Sequence, residues 1–283
     1  VTKFDGGRVF MDCSALTSIV IPDSVTDMGY EAFYGCSNLT SVTIGSGVFL
    51  LSNNVGVKNY DSDAFKGCPN ITSISVSAEN TVYDSRNNCN AIIRKSDNTL
   101  VVGCKGTVIP DSVVSIGERS FYGSKITSIE IPNSVTSIEK GAFSQCTSLT
   151  SLVIGSNVTR IEYEAFYHCA ITSVTIPDPV NTIGDRAFID CSNLTSVIIG
   201  SGVTSIGHSA FSYCPNLETI TINLQVAPSY QFGTNSSTAG YNKRTSGTNR
   251  LYVPANATGY ESGDWVAYLC NSNYGGFTLS KTL

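Results

Sequence analysis

The chain has 283 residues, 41% apolar and 14% charged, with 17 Lys and Arg and a formal net charge of −5. Charged residues usually make up about a quarter of a globular chain; here Ser, Thr, Asn and Gly take their place, so the expected surface is neutral and rich in hydroxyls. Nucleic-acid binding needs a basic face to neutralise phosphate, and no Lys/Arg cluster supplies one; nor is any apolar run long enough to cross a membrane as a helix.

In chain order, the first residues already belong to a repeat. Val1-Thr2-Lys3-Phe4 followed by Val9-Phe10-Met11-Asp12-Cys13 reads like Val135-Thr136-Ser137-Ile138 followed by Ala142-Phe143-Ser144-Gln145-Cys146. The expectation is a chain that begins mid-repeat and continues upstream in its natural form. Repeat phenylalanines then fall at Phe10, Phe33, Phe65, Phe121, Phe143, Phe166, Phe188 and Phe211, with gaps of 23, 32, 56, 22, 23, 22 and 23. A period in the low twenties marks a solenoid of stacked turns.

The two long gaps mark insertions, one at about 49–61 and one at about 77–106. The second contains AIIRKSDNTLVVG, which predicts a hairpin: strands Ala91–Arg94 and Thr99–Val102 around a polar turn. The array resumes at Thr107-Val108-Ile109-Pro110 and runs to Ile222. Residues from about Asn223 to Arg250 read as loop by composition. Leu251-Tyr252-Val253-Pro254 is expected to form one more strand, and Trp265 lies in a short predicted helix. Residues 251–283 are expected to be a C-terminal cap, closing a solenoid that spans 1–250, because a bare last turn exposes its core.

Within a turn the physical reading is direct. In Ile171-Thr172-Ser173-Val174-Thr175-Ile176, Val174 and Ile176 point one way, Ser173 and Thr175 the other. Pro or Gly then turns the chain. A second extended piece, such as Val180–Ile183, adds two core residues, and the Ala-Phe pair reads as a short helical turn that plugs the coil.

Seven cysteines belong to the repeat: Cys13, Cys36, Cys68, Cys146, Cys169, Cys191 and Cys214. Turns stack about 4.8 Å apart, so these form a column of parallel side chains, read as buried reduced thiols. Cys89 and Cys104 flank the hairpin, and are either a disulfide stapling the insertion or two separate buried thiols. Cys270 has no evident mate. No convergent Cys/His set offers a metal site, and no cofactor motif appears. His168 reads as an exposed surface histidine rather than half of a dyad with Cys169, and His208 beside Ser209 as a plain surface site lacking a triad's carboxylate. The Glu162/Glu164 pair reads as solvated charge, not as a glycosidase pair.

The repeated words L/I-T-S-V-x-I-P/G, S-V-T-S-I-G and A-F-x-x-C resemble the Treponema-type leucine-rich repeats of BspA-like bacterial surface proteins, over about Val1 to Ile222. NTVYDSRNNCNAIIRKSDNTLVVGCKGTVIP and LYVPANATGYES are also similar to units of that family. Departures are Ser124 for the repeat cysteine, and Ser120 and Val9 for the alanine. The resemblance implies a secreted or surface-anchored, non-enzymatic protein that binds proteins or cells.

Together these readings give a β-dominated α/β solenoid: a right-handed leucine-rich-repeat coil with a parallel sheet on its concave face, short helical turns at the Ala-Phe positions, an inserted hairpin and a cap. The expected function is extracellular or cell-surface binding of a host or bacterial surface protein or glycan by a monomer; the alternative is a spacer presenting an upstream domain. The candidate face is two outward columns. One reads Ser18, Ser41, Ser73, Ser128, Ser151, Ser173, Ser196, Thr219; the other reads Val20, Thr43, Ser75, Glu130, Val153, Thr175, Ile198, Thr221. Tyr34, Tyr122, Tyr167 and Tyr213, together with the insertions, are further candidates.

Overall fold

The alternation of apolar and hydroxyl residues makes strands wherever the register repeats. The structure, a computed structural model, describes residues 2–4, 7–51, 61–226, 229–230, 250–259 and 278–282. It divides into two compact units, Val1–Thr127 with Ala142–Ser148, and Ser128–Gly141 with Leu149–Leu283.

In the first unit, β1 (Ser18–Ile21), β2 (Ser41–Ile44) and β3 (Ser73–Val76) form a parallel sheet with Ser18, Ser41 and Ser73 in one register. The insertion that follows builds a different sheet. β4 (Tyr83–Asp84), β5 (Ile92–Arg94) and β6 (Thr99–Val102) pair antiparallel, and β6 then pairs in parallel with β7 (Ser115–Ile116). The predicted hairpin is present, but it is no appendage. Ile92, Ile93, Leu100, Val101 and Val102 are all buried, and β6 takes the place of a solenoid strand beside β7. No strand forms at Thr107–Ile109, where Val108 is 73% exposed. At the start of the unit, parallel bridges join Lys3 to Asp27 and Asp27 to Leu50, so the opening residues do occupy the repeat position that the sequence assigns them.

The second unit is a regular stack. β8 (Ser128–Glu130) pairs in parallel with β10 (Ser151–Val153). β9 (Ser137–Ile138), β11 (Arg160–Ile161), β13 (Thr182–Ile183), β15 (Ser205–Ile206) and β17 (Ser229–Tyr230) form one parallel sheet. β12 (Ser173–Ile176), β14 (Ser196–Ile199), β16 (Thr219–Ile222), β18 (Arg250–Pro254) and β19 (Thr278–Thr282) form the other. The strand expected at Leu251–Pro254 is therefore β18. The predicted helix around Trp265 and most of the 49–61 insertion lie outside the described residues.

Phenylalanines form the axis of the core. Phe10 stacks on Phe33 at 5.0 Å and Phe33 on Phe65 at 5.6 Å; in the second unit Phe188 lies between Phe166 at 5.0 Å and Phe211 at 5.3 Å. Near-parallel rings at the turn spacing bury large apolar area without voids.

The Ala-Phe segment departs from expectation. A helix is found there only at Asp61–Phe65, as a short 3₁₀ helix. Elsewhere the residue before Ala and the residue before Cys have positive φ: Glu31 (48°) and Gly35 (73°), Glu164 (53°) and His168 (56°), Arg186 (57°) and Asp190 (62°). Two left-handed residues four apart cannot continue a right-handed helix. They turn alternate N–H groups toward the next turn instead. Arg186, Phe188 and Asp190 donate to the carbonyls of His208, Ala210 and Ser212 at 2.8–2.9 Å. The segment is a third ladder between turns, where a helix would have satisfied those groups within itself.

Polar ladders join the same turns. Asn38 and Asn216 donate through Nδ2 to the carbonyls of Ser14 and Ser192 at 2.8 Å, and Thr40 and Thr195 through Oγ1 to those of Thr17 and Thr172. This is why Asn-x-Thr recurs in the repeat. Pro turns and Gly turns also pair. The Asp23 carboxylate accepts from the Ser46 N–H, and Asp178 from Ser201, both at 2.7 Å. A Cβ on Gly45 would come within 2.6 Å of the Ile21 carbonyl oxygen, and one on Gly200 within 2.7 Å of the Pro177 carbonyl carbon. At these positions glycine lets the turn lie directly against the Pro turn before it.

Candidate functional site

The two columns stand out on the strands as the alternation predicts. Within the first unit the register aligns Val20, Thr43 and Ser75; within the second it aligns Glu130 with Val153, and Thr175 with Ile198 and Thr221. Ser18, Ser73, Ser128, Ser151, Ser173, Ser75, Glu130 and Thr175 are exposed, and Ser41, Thr43, Ser196, Thr219 and Thr221 half-buried. Three apolar side chains stand among them: Val20 is 67% exposed, Val153 54% and Ile198 42%. Ser75 donates to Thr43 Oγ1 at 3.1 Å, so neighbouring rungs hold one another. Parallel backbone pairing within each unit sets the spacing of the rungs.

The register carries these columns further than the sequence reading did. Thr219 pairs with Arg250 and Thr221 with Tyr252. Arg250 thus continues the serine column and Tyr252 the variable one, and Arg250 Nη1 lies 3.5 Å from Tyr252 Oη as donor. The signal was the alternation of Leu251-Tyr252-Val253. It could not be phased, because no Ala-Phe-x-x-Cys landmark follows it.

Of the tyrosine candidates, Tyr34 packs against a neighbouring turn, whereas Tyr122 and Tyr167 contact residues of their own turns. Lys66 Nζ sits 5.7 Å from the Tyr34 ring centre and the Arg119 guanidinium 5.9 Å from that of Tyr122. Tyr167 lies against His168 at 5.8 Å. Tyr122 and Tyr213 keep 38% exposure each.

The groups considered for chemistry serve other ends. His168 Nδ1 is 2.6 Å from Asp190 Oδ2, a hydrogen bond between turns made by a half-buried histidine. Ser209 Oγ lies 2.9 Å from His208 Nδ1 but is only 5% exposed, closed to any substrate. Glu162 pairs with Arg160 at 3.4 Å and Glu164 with Arg186 at 3.7 Å. Among the described residues no three His, Cys, Asp or Glu side chains gather around a common point.

Nine described cysteines are free thiols. Cys36, Cys68, Cys146 and Cys191 donate to the carbonyls of Phe10, Phe33, Phe121 and Phe166 at 3.0–3.2 Å. The column is a ladder of thiol hydrogen bonds, each reaching back one turn. Burial pushes the Cys68 thiol up to about 12 and the Cys191 thiol well above its usual value. Cys13 is the exception and is exposed. Cys89 and Cys104 are separate buried thiols; Cys104 donates to the Asn90 carbonyl at 3.1 Å.

Parallel turns of 22–23 residues, a phenylalanine axis and an exposed strand face define a leucine-rich-repeat solenoid. The family model for the BspA type leucine rich repeat region matches residues 6–94 and 108–238 in six copies, and the chain belongs to that family. Among solved structures it is similar to the pneumococcal vaccine antigen PcpA, with 17% identity, a TM-score of 0.64, and coverage of 94% of this chain and 68% of that one. It is also similar to a leucine rich cell surface protein from Faecalibacterium prausnitzii, with 25% identity, a TM-score of 0.59, and coverage of 78% and 69%. No curated protein sequence matches the chain.

Proposed function

We propose that the chain is a non-enzymatic binding module, displayed at or beyond the bacterial cell surface, that recognises a protein or glycan through its outward strand columns. The observation that carries this reading is the exposure of Val153 and Ile198 in a strand face made mostly of hydroxyl residues. Exposed apolar side chains on a paired strand face, beside hydroxyls and Glu130, suit a contact that desolvates them. The family and the cell-surface neighbour support the location.

The test is capture by the immobilised chain from a panel of extracellular-matrix proteins, host glycans and bacterial surface preparations. A Val153→Lys/Ile198→Lys variant should lose about tenfold or more in affinity for any ligand captured. Equal binding by the variant would remove the strand face as the site. A spacer role has one observation in its favour, the near-uniform serine column. It predicts that no panel member binds and that lengthening the array leaves the parent protein's activity intact.

A further inference from the structure

We propose that the end of the strand face in the second unit holds a binding site for one uncharged sugar residue. The proposal rests on the binding function above and gives it a ligand class and a place.

A pocket of about 290 Å³ lies where β16 and β18 end, lined among others by Thr221, Asn223, Gln225, Tyr252, Pro254 and Asn256. It exists because the turn pattern fails there. Ile199 pairs with Ile222, so Asn223-Leu224-Gln225 occupy the register of Gly200-Ser201-Gly202. In the earlier pair, Asp178 accepts from the Ser201 N–H and the glycines lie flat against the Pro turn. In the last pair, two long amides stand where glycines stood. Pro254-Ala255-Asn256 follow, adding a third amide. Asn223, Gln225 and Asn256 are exposed, while Tyr252 is half-buried and tethered by Arg250. The surrounding backbone is fixed: Thr258 N–H donates to the Gln225 carbonyl and Ala257 N–H to that of Pro254, both at 2.9 Å.

The lining chooses the ligand. None of the described lining residues is charged, and the Arg250 guanidinium beside them is turned to the Tyr252 hydroxyl, so a neutral ligand fits the lining best. Three primary amides and a hydroxyl each donate and accept, as the adjacent hydroxyls of a sugar ring require. The Tyr252 ring and Pro254 offer apolar surface to a sugar's C–H face. The volume is at the low end of the roughly 300–1,000 Å³ of small-molecule sites, which suits one residue of a chain rather than a protein epitope.

The experiment titrates the ¹⁵N-labelled chain with uncharged methyl glycosides of hexoses and N-acetylhexosamines, and separately with uncharged tetrapeptides. The expected result is saturable shifts of the Asn223, Gln225 and Asn256 side-chain amides with at least one glycoside, at millimolar concentration. Tyr252→Ala should weaken binding about tenfold or more, and Tyr252→Phe should keep it within about threefold. The proposal is overturned if no glycoside shifts these amides, or if tetrapeptides shift them and glycosides do not. If Val153→Lys/Ile198→Lys abolishes partner capture while glycosides leave the amides unmoved, the strand-face function stands and this site falls. If glycosides bind and the double variant captures partners normally, the site stands and the strand face falls.

Discussion

The regular stack of the second unit and the inserted hairpin of the first meet the same demand by different means. Each must pair backbone groups that lie between turns. In the second unit the answer is repetition: the same Asn, Thr and Cys side chains and the same backbone rungs recur in turn after turn, so each link is one of many. In the first unit the hairpin breaks the phase, and single residues bridge it. Asn80, 1% exposed, donates to the carbonyls of Gly45 and Val48 and accepts from the N–H groups of Val82 and Tyr83. Arg94 joins Asp61 and Asp97, and Arg86 joins Asp84 and Asn98. Regularity distributes the load, whereas irregularity concentrates it on residues that nothing else can replace.

The sharpest test sets one residue of each kind side by side. Asn80→Leu leaves four backbone groups, the Val82 N–H half-buried, without their side-chain partner and is expected to cost about 3–5 kcal/mol. Phe188→Ala should cost a similar amount, about 3–5 kcal/mol, by opening a cavity between Phe166 and Phe211. The distinction lies in where protection is lost. Hydrogen exchange should show the Asn80 variant opening β4–β6 as one block, and the Phe188 variant loosening turns on both sides by degrees. The same pattern in both would break the comparison.

A smaller effect concerns charge in the first unit. Glu31 is buried at 2% exposure. Its desolvation raises its pKa, but hydrogen bonds from Tyr30, Arg8 and Lys66 outweigh that and hold the carboxyl below its usual 4.5. A carboxylate with a lowered folded-state pKa stabilises above its unfolded value, and that contribution is lost as pH falls through the folded value. Glu31→Gln should therefore cost about 2 kcal/mol at neutral pH, and the urea midpoints of the two forms should converge below pH 4.5. A constant gap across acid would show that the carboxylate charge is not what matters.

The smallest expected change is a gain. Gln145 has φ of 65°, at the position where other turns carry Gly35, Gly67 or Gly123. Gln145→Gly should raise stability by about 1 kcal/mol by relieving a left-handed side-chain residue. No gain in thermal midpoint would mean that the inter-turn bond geometry, not residue type, sets that conformation.

Much of this fold was legible because it repeats. Eight phased phenylalanines located the turns, and the Ser-Val-Thr-Ile alternation located the buried and exposed faces before any coordinate. What stayed hidden was conformation that residue type does not encode. Glu164, His168 and Arg186 carry no mark of a left-handed backbone, so the Ala-Phe segment read as a helix. Cys13 matched the cysteine column in sequence, yet it is exposed. Ile92, Ile93, Leu100 and Val101 read as a hairpin but not as solenoid core, because alternation reveals a strand and not its neighbours. Of the candidate face, Ser18 through Thr221 could be read, whereas Arg250 and Tyr252 could not, since their place depends on a register that only pairing fixes.

The coupling of Pro turns to Gly turns bears on how such an array can grow. Pro22 precedes Gly45, Pro132 precedes Gly155 and Pro177 precedes Gly200, and Pro132 to Pro177 spans 45 residues. A Gly turn accepts its neighbour only because it lacks a Cβ, so the two kinds of turn are not interchangeable parts. Gene duplication or protein engineering that copies the 45-residue pair preserves every such fit. A residue with a side chain at Gly45 or Gly200 would place atoms where that geometry leaves no room. The Pro–Gly couplet is thus one module that can be copied without new fits, beside the direct succession of Pro110 and Pro132 at 22 residues.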